Sequence, residues 1–231
     1  MPKVREIRVK GASMSRLPSG RLLTGYAWDA LTAAALLRPA GPPRTLLLLG
    51  LGGGTMLHQL LHLHPGTRVT AVDLDPAMIR TARWVLRKHA AQLELIHADA
   101  LRWVAANRSR RFDVVIDDLY AAGEEDVFKP VCPDRAWVES LDRLRGPGGA
   151  VVMNLVTGPG HHRVRLQARS VFRRMFGHVV SVRPPLGVNE VLWGGDTPPV
   201  RSALRAADGR WTQARDRSDW RRLRVGKVAR L

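Results

Sequence analysis

The sequence predicts an α/β protein built on a doubly wound, mostly parallel sheet. Three observations predict it. Apolar runs alternate with helical patterns from residue 45 to residue 117, as chains of right-handed strand–helix–strand units do. The first run, Thr45–Leu49, stops at Gly50, Gly52, Gly53 and Gly54. The stretches that follow it end in acid, at Asp73, Asp99 and Asp117. Ligands of open α/β sheets bind outside the C-terminal ends of the strands, so glycines and carboxylates are delivered where a ligand would sit.

The elements follow in order. Val4–Lys10 alternates apolar and polar residues, as a half-exposed strand does. Pro18–Arg21 is a turn and Leu22–Tyr26 the expected partner strand, giving a small N-terminal β-hairpin. Trp28–Leu37, rich in Ala and Leu, predicts a helix stopped by Pro39 and the Gly41-Pro42-Pro43 linker. The spacing then predicts strands at 45–50, 68–73, 93–97 and 112–117, with helices at 54–64, 76–89 and 99–106 between them. Pro76 suits the first turn of its helix. A long loop, 121–133, precedes a helix capped by Asp134 and running to Leu144. Gly146-Pro147-Gly148-Gly149 turns into the strand Ala150–Val156. His161–Phe176 is a basic amphipathic helix, and Val179–Val182 with Val188–Trp193 closes the sheet as an antiparallel pair. That makes seven strands. Three regions result: hairpin and helix at 1–43, the sheet domain at 44–199, and a basic tail at 200–231. Trp211 and Trp220 in the tail read as docking aromatics.

The net charge of +17 is unevenly placed. Residues 1–50 carry 8 basic and 2 acidic side chains, residues 51–159 carry 13 of each, and residues 160–231 carry 16 and 5. The central domain is therefore neutral. The basic flanks leave a nucleic-acid partner open, but the scarcity of aromatics in Arg163–Arg183 provides no base-stacking platform and does not favour it. A single cysteine, Cys132, forms no internal disulfide and suits a reducing compartment. With no apolar block at the start and no run of spanning length, a cytoplasmic protein with no membrane partner is expected. His58 and His62 stand at i and i+4 without a Glu or Cys to complete a site, so no metal is expected. Glu124-Glu125-Asp126 reads as a solvated loop face.

Asp73 lies about twenty residues past the glycine turn, a spacing that places an acid against ribose hydroxyls. The motifs Leu49–Thr55, Val72–Pro76, Ala98-Asp99-Ala100, Phe112–Asp117 and Leu144–Val152 occur together in this order. Over about residues 20–195 they resemble the spermidine synthase-like (polyamine aminopropyltransferase-like) family of class I S-adenosylmethionine-fold transferases. The resemblance implies a Rossmann-like seven-stranded sheet, the class I methyltransferase fold, with the N-terminal β-hairpin that this family carries. It implies S-adenosylmethionine, or its decarboxylated form, as cofactor, a small-molecule acceptor and a homodimer. By the same resemblance Gly50, Gly52 and Gly54 pass under the methionine part, Asp73 holds the ribose, and Asp99 with Ala100 meets the adenine. Asp117 would face the sulfonium and accept a proton from the nucleophile, while Asp118, Trp28 and Asp29 would line the acceptor.

Three features depart from those of aminopropyltransferases. Gly52 replaces an Asp of the glycine turn, Tyr120 replaces a second substrate-binding Asp, and Trp28-Asp29 replaces a His-Glu pair. A dicationic polyamine needs carboxylates, so these losses tilt the reading toward methyl transfer to a small amine-like acceptor. Asp117-Asp118-Leu119-Tyr120 also resembles the Asp-Pro-Pro-Tyr motif of amino-directed methyltransferases, without its prolines; there the aromatic stacks over the target amine. Asp117 and Tyr120 are the catalytic candidates.

Overall fold

Strand β3 (Thr45–Leu49) sits inside the sheet because it can be buried on both sides. In the computed structural model, which describes residues 4–124 and 126–228, Leu46 and Leu48 enter one core cluster and Leu47 and Leu49 the other. A leucine run with no polar face fits a parallel strand covered by helices on both sides. β4 (Arg68–Asp73) and β6 (Phe112–Asp117) flank β3 in parallel. β5 (Leu93–His97) extends the sheet beyond β4, and β9 (Arg145–Val156) beyond β6, both also parallel. Strand order therefore reverses between β3 and β6, which opens a crevice at their C-terminal ends.

One face is covered by α1 (Ala27–Leu36), α2 (Thr55–Leu63) and α3 (Pro76–Val85). The other face takes α4 (Ala100–Ala106), α5 (Arg135–Asp142) and α6 (His162–Met175). Asp75, Asp99 and Asp134 cap α3, α4 and α5 by accepting from backbone N–H groups of the first turn. Beyond β9 the sheet turns antiparallel through β11 (Asn189–Gly195) and β10 (His178–Arg183). All seven expected strands are present. The expected turn at 146–149 is a bulge within β9, where Arg145 pairs with Phe112 but Ala150 with Val114. The loop after β6 carries a minimal hairpin, β7 (Ala121–Ala122) with β8 (Val127–Phe128). Glu125 of the expected acidic loop face lies outside the described residues.

Two expectations are corrected. The hairpin partner of β1 (Val4–Val9) is β2 (Ala12–Pro18), not Leu22–Tyr26. Lys10 and Gly11 both take positive φ, 47° and 82°, which makes the tight turn there. The backbone N–H groups of 22–25 instead donate to carboxylates: Leu22 and Leu23 to Asp216, Thr24 and Gly25 to Asp29. Second, the sheet has eight strands, because β12 (Arg224–Lys227) of the tail pairs with β10. The tail also contributes α7 (Ser202–Asp208) and α8 (Ala214–Arg221). Trp211 and Trp220 pack into the core beside α2, with His62 stacked on Trp211. Among the described residues no helix is long and apolar enough to cross a membrane.

Candidate active site

The glycine turn joins β3 to α2 at the crevice. Gly50, Gly52 and Gly54 have φ of 86°, 52° and 85°, the left-handed region that other residues enter at a cost. A Cβ on Gly50 would lie 2.4 Å from the carbonyl oxygen of Asp118, and one on Gly52 2.4 Å from that of Met14. The glycines are thus required by close backbone approach from two sides, the loop after β6 and strand β2. The hairpin is fastened over the turn by Ser15, whose hydroxyl is 2.7 Å from that of Thr55.

Asp73 ends β4 and organises the turn. Its Oδ2 accepts from the N–H groups of Leu51 (2.8 Å) and Gly52 (3.0 Å), and its Oδ1 from Asp75 N–H (2.9 Å). Asp99, beyond β5, accepts from Leu101 and Arg102 N–H through Oδ1. Ala100 is buried at the start of α4. Gly50, Gly52, Gly54, Asp73, Asp99 and Ala100 are therefore gathered at the C-terminal ends of three neighbouring strands.

Asp117 does not face this crevice. Val115 points into the core cluster beneath α4–α6, and Asp117, two residues on, points the same way. It is 0% exposed and fully engaged. Oδ1 accepts from Lys129 Nζ (2.8 Å) and Leu119 N–H (3.0 Å), and Oδ2 from Trp137 Nε1 (2.9 Å). Lys129 is itself 1% exposed at the side chain, so the two charges neutralise each other inside the protein. Asp117 is placed to hold the loop, and the expectation that it meets a reacting nucleophile is not supported by this geometry.

Asp118 takes the crevice position. It follows Val114 and Ile116 in the alternation and sits against the glycine turn at the reversal of strand order. Its N–H donates to Leu49 O (2.8 Å), and its Oδ1 accepts from Asn154 Nδ2 (2.8 Å). Burial, opposed by that bond and by Lys129 but reinforced by the charges of Asp117 and Asp73, pushes its carboxyl up to about 7. A carboxyl at that value can take a proton near neutral pH.

The remaining candidates are used by the protein itself. Tyr120 Oη accepts from Val156 N–H (2.9 Å) and donates to Asn154 O (3.2 Å), and Lys129 lies over its ring. Asp29 is 0% exposed and receives Thr24, Gly25 and Gln59 donors, which fix the segment before α1. Burial pushes its carboxyl up to about 6 against those bonds. Trp28 packs against the core. Asp29 therefore does not have the placement expected of an acceptor-binding residue. Asn154, Lys129 and Trp137 were not singled out by the sequence. Only strand alternation, which sets Asp117 and Asp118 on opposite faces, could have signalled that the former needs buried partners.

Cavities open at both ends of the sheet among the described residues. One of about 240 Å³ opens at the same end of the sheet as the crevice, beyond β9, beside Asn189 and Arg183. The larger, about 530 Å³, lies at the opposite edge around His178 and Lys227, away from every residue the motifs single out.

Comparison with known proteins agrees with the fold. Residues 46–130 match the family model of a methyltransferase domain. The chain is 27% identical over 202 residues to the polyamine aminopropyltransferase of Aeropyrum pernix, covering 81% of this chain and 63% of that protein. It therefore spans just under two thirds of that relative's length. A probable spermidine synthase from Corynebacterium glutamicum superposes with a TM-score of 0.66 at 22% identity, over 90% of this chain and 78% of the other. Human methyltransferase-like protein 13, solved in complex with SAH, superposes with a TM-score of 0.62 at 19% identity, over 84% and 89%. By its motifs, its sheet and these likenesses, the chain has the fold of the class I S-adenosylmethionine-dependent transferases and is similar to both polyamine aminopropyltransferases and methyltransferases.

Proposed function

We propose that the protein is an alkyl transferase that binds S-adenosylmethionine in the crevice between β3 and β6 and uses Asp118 to prepare the acceptor. One observation carries the reading: a carboxyl pushed up to about 7 stands at the reversal of strand order, against the glycine turn. The residues fit a cationic cofactor. Asp73 and Asp118 repel one another across the crevice, which a sulfonium would relieve. Asp73 and Asp99 would hold the adenosyl group, with Ala100 beside the adenine and the backbone of Gly50–Gly54 beneath the rest. When bound, the cofactor supplies an alkyl group on sulfur, a leaving group that needs little activation.

The chain's own task is then alignment and proton transfer. Asn154 fixes one oxygen of Asp118, leaving the other to accept a proton from an amine or hydroxyl. The hairpin over the glycine turn helps to exclude water. Methyl transfer is favoured over aminopropyl transfer. Of the acids that could bind a polyamine, Asp117 is neutralised by Lys129 and Asp29 is consumed by its own loop. Asp118 alone remains for the acceptor.

The test is turnover of S-adenosylmethionine followed by release of S-adenosylhomocysteine. kcat/KM should rise with pH to a plateau above about 7. Asp118→Asn should lower kcat by about 10²–10⁴ and keep S-adenosylhomocysteine affinity. Full activity in that variant would remove Asp118 from the mechanism.

A further inference from the structure

We infer that the acceptor carries an anionic group, such as a carboxylate or phosphate, held in the cavity beside the crevice by Arg165, Arg183 and Arg224. This rests on the crevice being the transfer site and names the class of its second substrate. The cavity, about 240 Å³, is lined by these three arginines with Thr157 and Asn189, and by no acid. It lies on the reacting edge of the sheet. Thr157 follows the end of β9, Asn189 begins β11, Arg183 ends β10 and Arg224 begins β12.

The charge there is not balanced by the protein. Glu190, 0% exposed, is bound by Arg169 through two bonds of 2.9 and 2.7 Å, and Arg183 reaches it only at 3.4 Å. Arg165 and Arg224 have no carboxylate partner among the described residues. Four arginines thus face one glutamate, an excess of three positive charges. Arg165 Nε is buried and donates to nothing among the described residues. Arg183 and Arg224 are direct cross-strand partners of β10 and β12. Like charges placed opposite one another weaken a sheet, and a buried donor without an acceptor is costly. An anion in the cavity would relieve both.

The cavity is also wired to the proposed base. Asn189 Nδ2 donates to Asn154 Oδ1 (3.1 Å), and Asn154 Nδ2 donates to Asp118 Oδ1 (2.8 Å). Asn189 on β11 lies two strands from β6, whereas Arg183 on β10 and Arg224 on β12 lie three and four strands away, about 14–19 Å at the usual strand spacing. An acceptor with its nucleophile at one end and its anion about that far away would span Asp118 and the arginines. The edge thus runs from carboxylates, which suit a sulfonium, to guanidiniums, which suit an acid. A diamine would meet the guanidiniums with its second charge.

The test is calorimetric titration of the full chain with sodium pyrophosphate as the probe, at low salt, with and without saturating S-adenosylhomocysteine. Saturable one-to-one binding is expected, unchanged by S-adenosylhomocysteine and at least tenfold weaker in Arg183→Gln/Arg224→Gln. Both side chains are exposed, Arg183 at 48%, and S-adenosylhomocysteine affinity within twofold of wild type reports that the variant is folded. Arg224→Gln alone should weaken the probe about threefold. Absence of saturable binding, equal binding in the variants, or competition by S-adenosylhomocysteine would each overturn the inference. Pyrophosphate binding without S-adenosylhomocysteine binding would instead leave the anion site standing and remove the transfer reading. With S-adenosylmethionine as donor, an ω-amino acid should be alkylated in preference to the α,ω-diamine of equal length, and the reverse preference would overturn the inference.

Discussion

Replacing Asp118 by Asn should make the protein more stable while making it inactive. Its carboxyl stands at about 7 instead of 3.8, chiefly because burial penalises the charged form. The folded state holds the proton more tightly than the unfolded chain does, so ionisation costs the fold. That cost is absent below the unfolded value, grows as pH rises from about 4, and is complete above about 7. Taken whole it is at most about 4 kcal/mol, and water entering the open crevice cuts it to about 2 kcal/mol. Asn is nearly isosteric, cannot ionise, and can keep the bond from Asn154 Nδ2. For a chain of this size, each kcal/mol moves the melting temperature by about 2–4 °C. Asp118→Asn should therefore melt about 4–8 °C above wild type at pH 8.5 and about 2 °C above it at pH 5. The assay is thermal denaturation by circular dichroism at the two pH values. An equal difference at both, or a destabilised variant at pH 8.5, would refute the placement of Asp118 in a desolvated crevice.

Three other outcomes follow from the same structure. Lys129→Met strands Asp117 in the core and should cost about 3–5 kcal/mol in urea denaturation, with much of it recovered in Lys129→Met/Asp117→Asn. Gly52→Ala combines a strained φ with a clash against Met14 and should cost more than about 1 kcal/mol, whereas Gly66→Ala, which meets open space, should fall within about 0.5 kcal/mol of wild type. Deleting residues 200–231 removes Trp211, Trp220, β12 and the Asp216 acceptor of Leu22 and Leu23, so the shortened chain should lose its cooperative melt and aggregate on gel filtration. A sharp native-like melt would mean that the tail is dispensable.

The sheet was legible in the sequence because its signals are local. Leu46–Leu49 can only be buried on both sides, and Asp75, Asp99 and Asp134 each announce a helix start. The hairpin was misplaced because the Pro18–Arg21 turn outweighed Lys10-Gly11, whose positive φ angles are invisible without coordinates. The role of the tail escaped because β12 is a four-residue strand whose partner lies some forty residues earlier. At the end of β6 the motif points to Asp117, one residue before the acid that stands at the crevice. Adjacent acids look equivalent in a motif, yet a period of two sends Asp117 to Trp137 and Lys129 and leaves Asp118 at the crevice. The arginines of the anion cavity were seen only as net charge, since residues 165, 183 and 224 meet through the antiparallel end of the sheet.

The central claim is that an adenosyl cofactor occupies the crevice between β3 and β6. The most direct measurement is an amide-resolved NMR titration of the ¹⁵N-labelled chain with S-adenosylhomocysteine. The account predicts saturable shifts at Gly50, Gly52, Gly54, Asp73, Asp99 and Asp118. Shifts confined to the opposite edge, around His178 and Lys227, or no saturable shift at all, would contradict it.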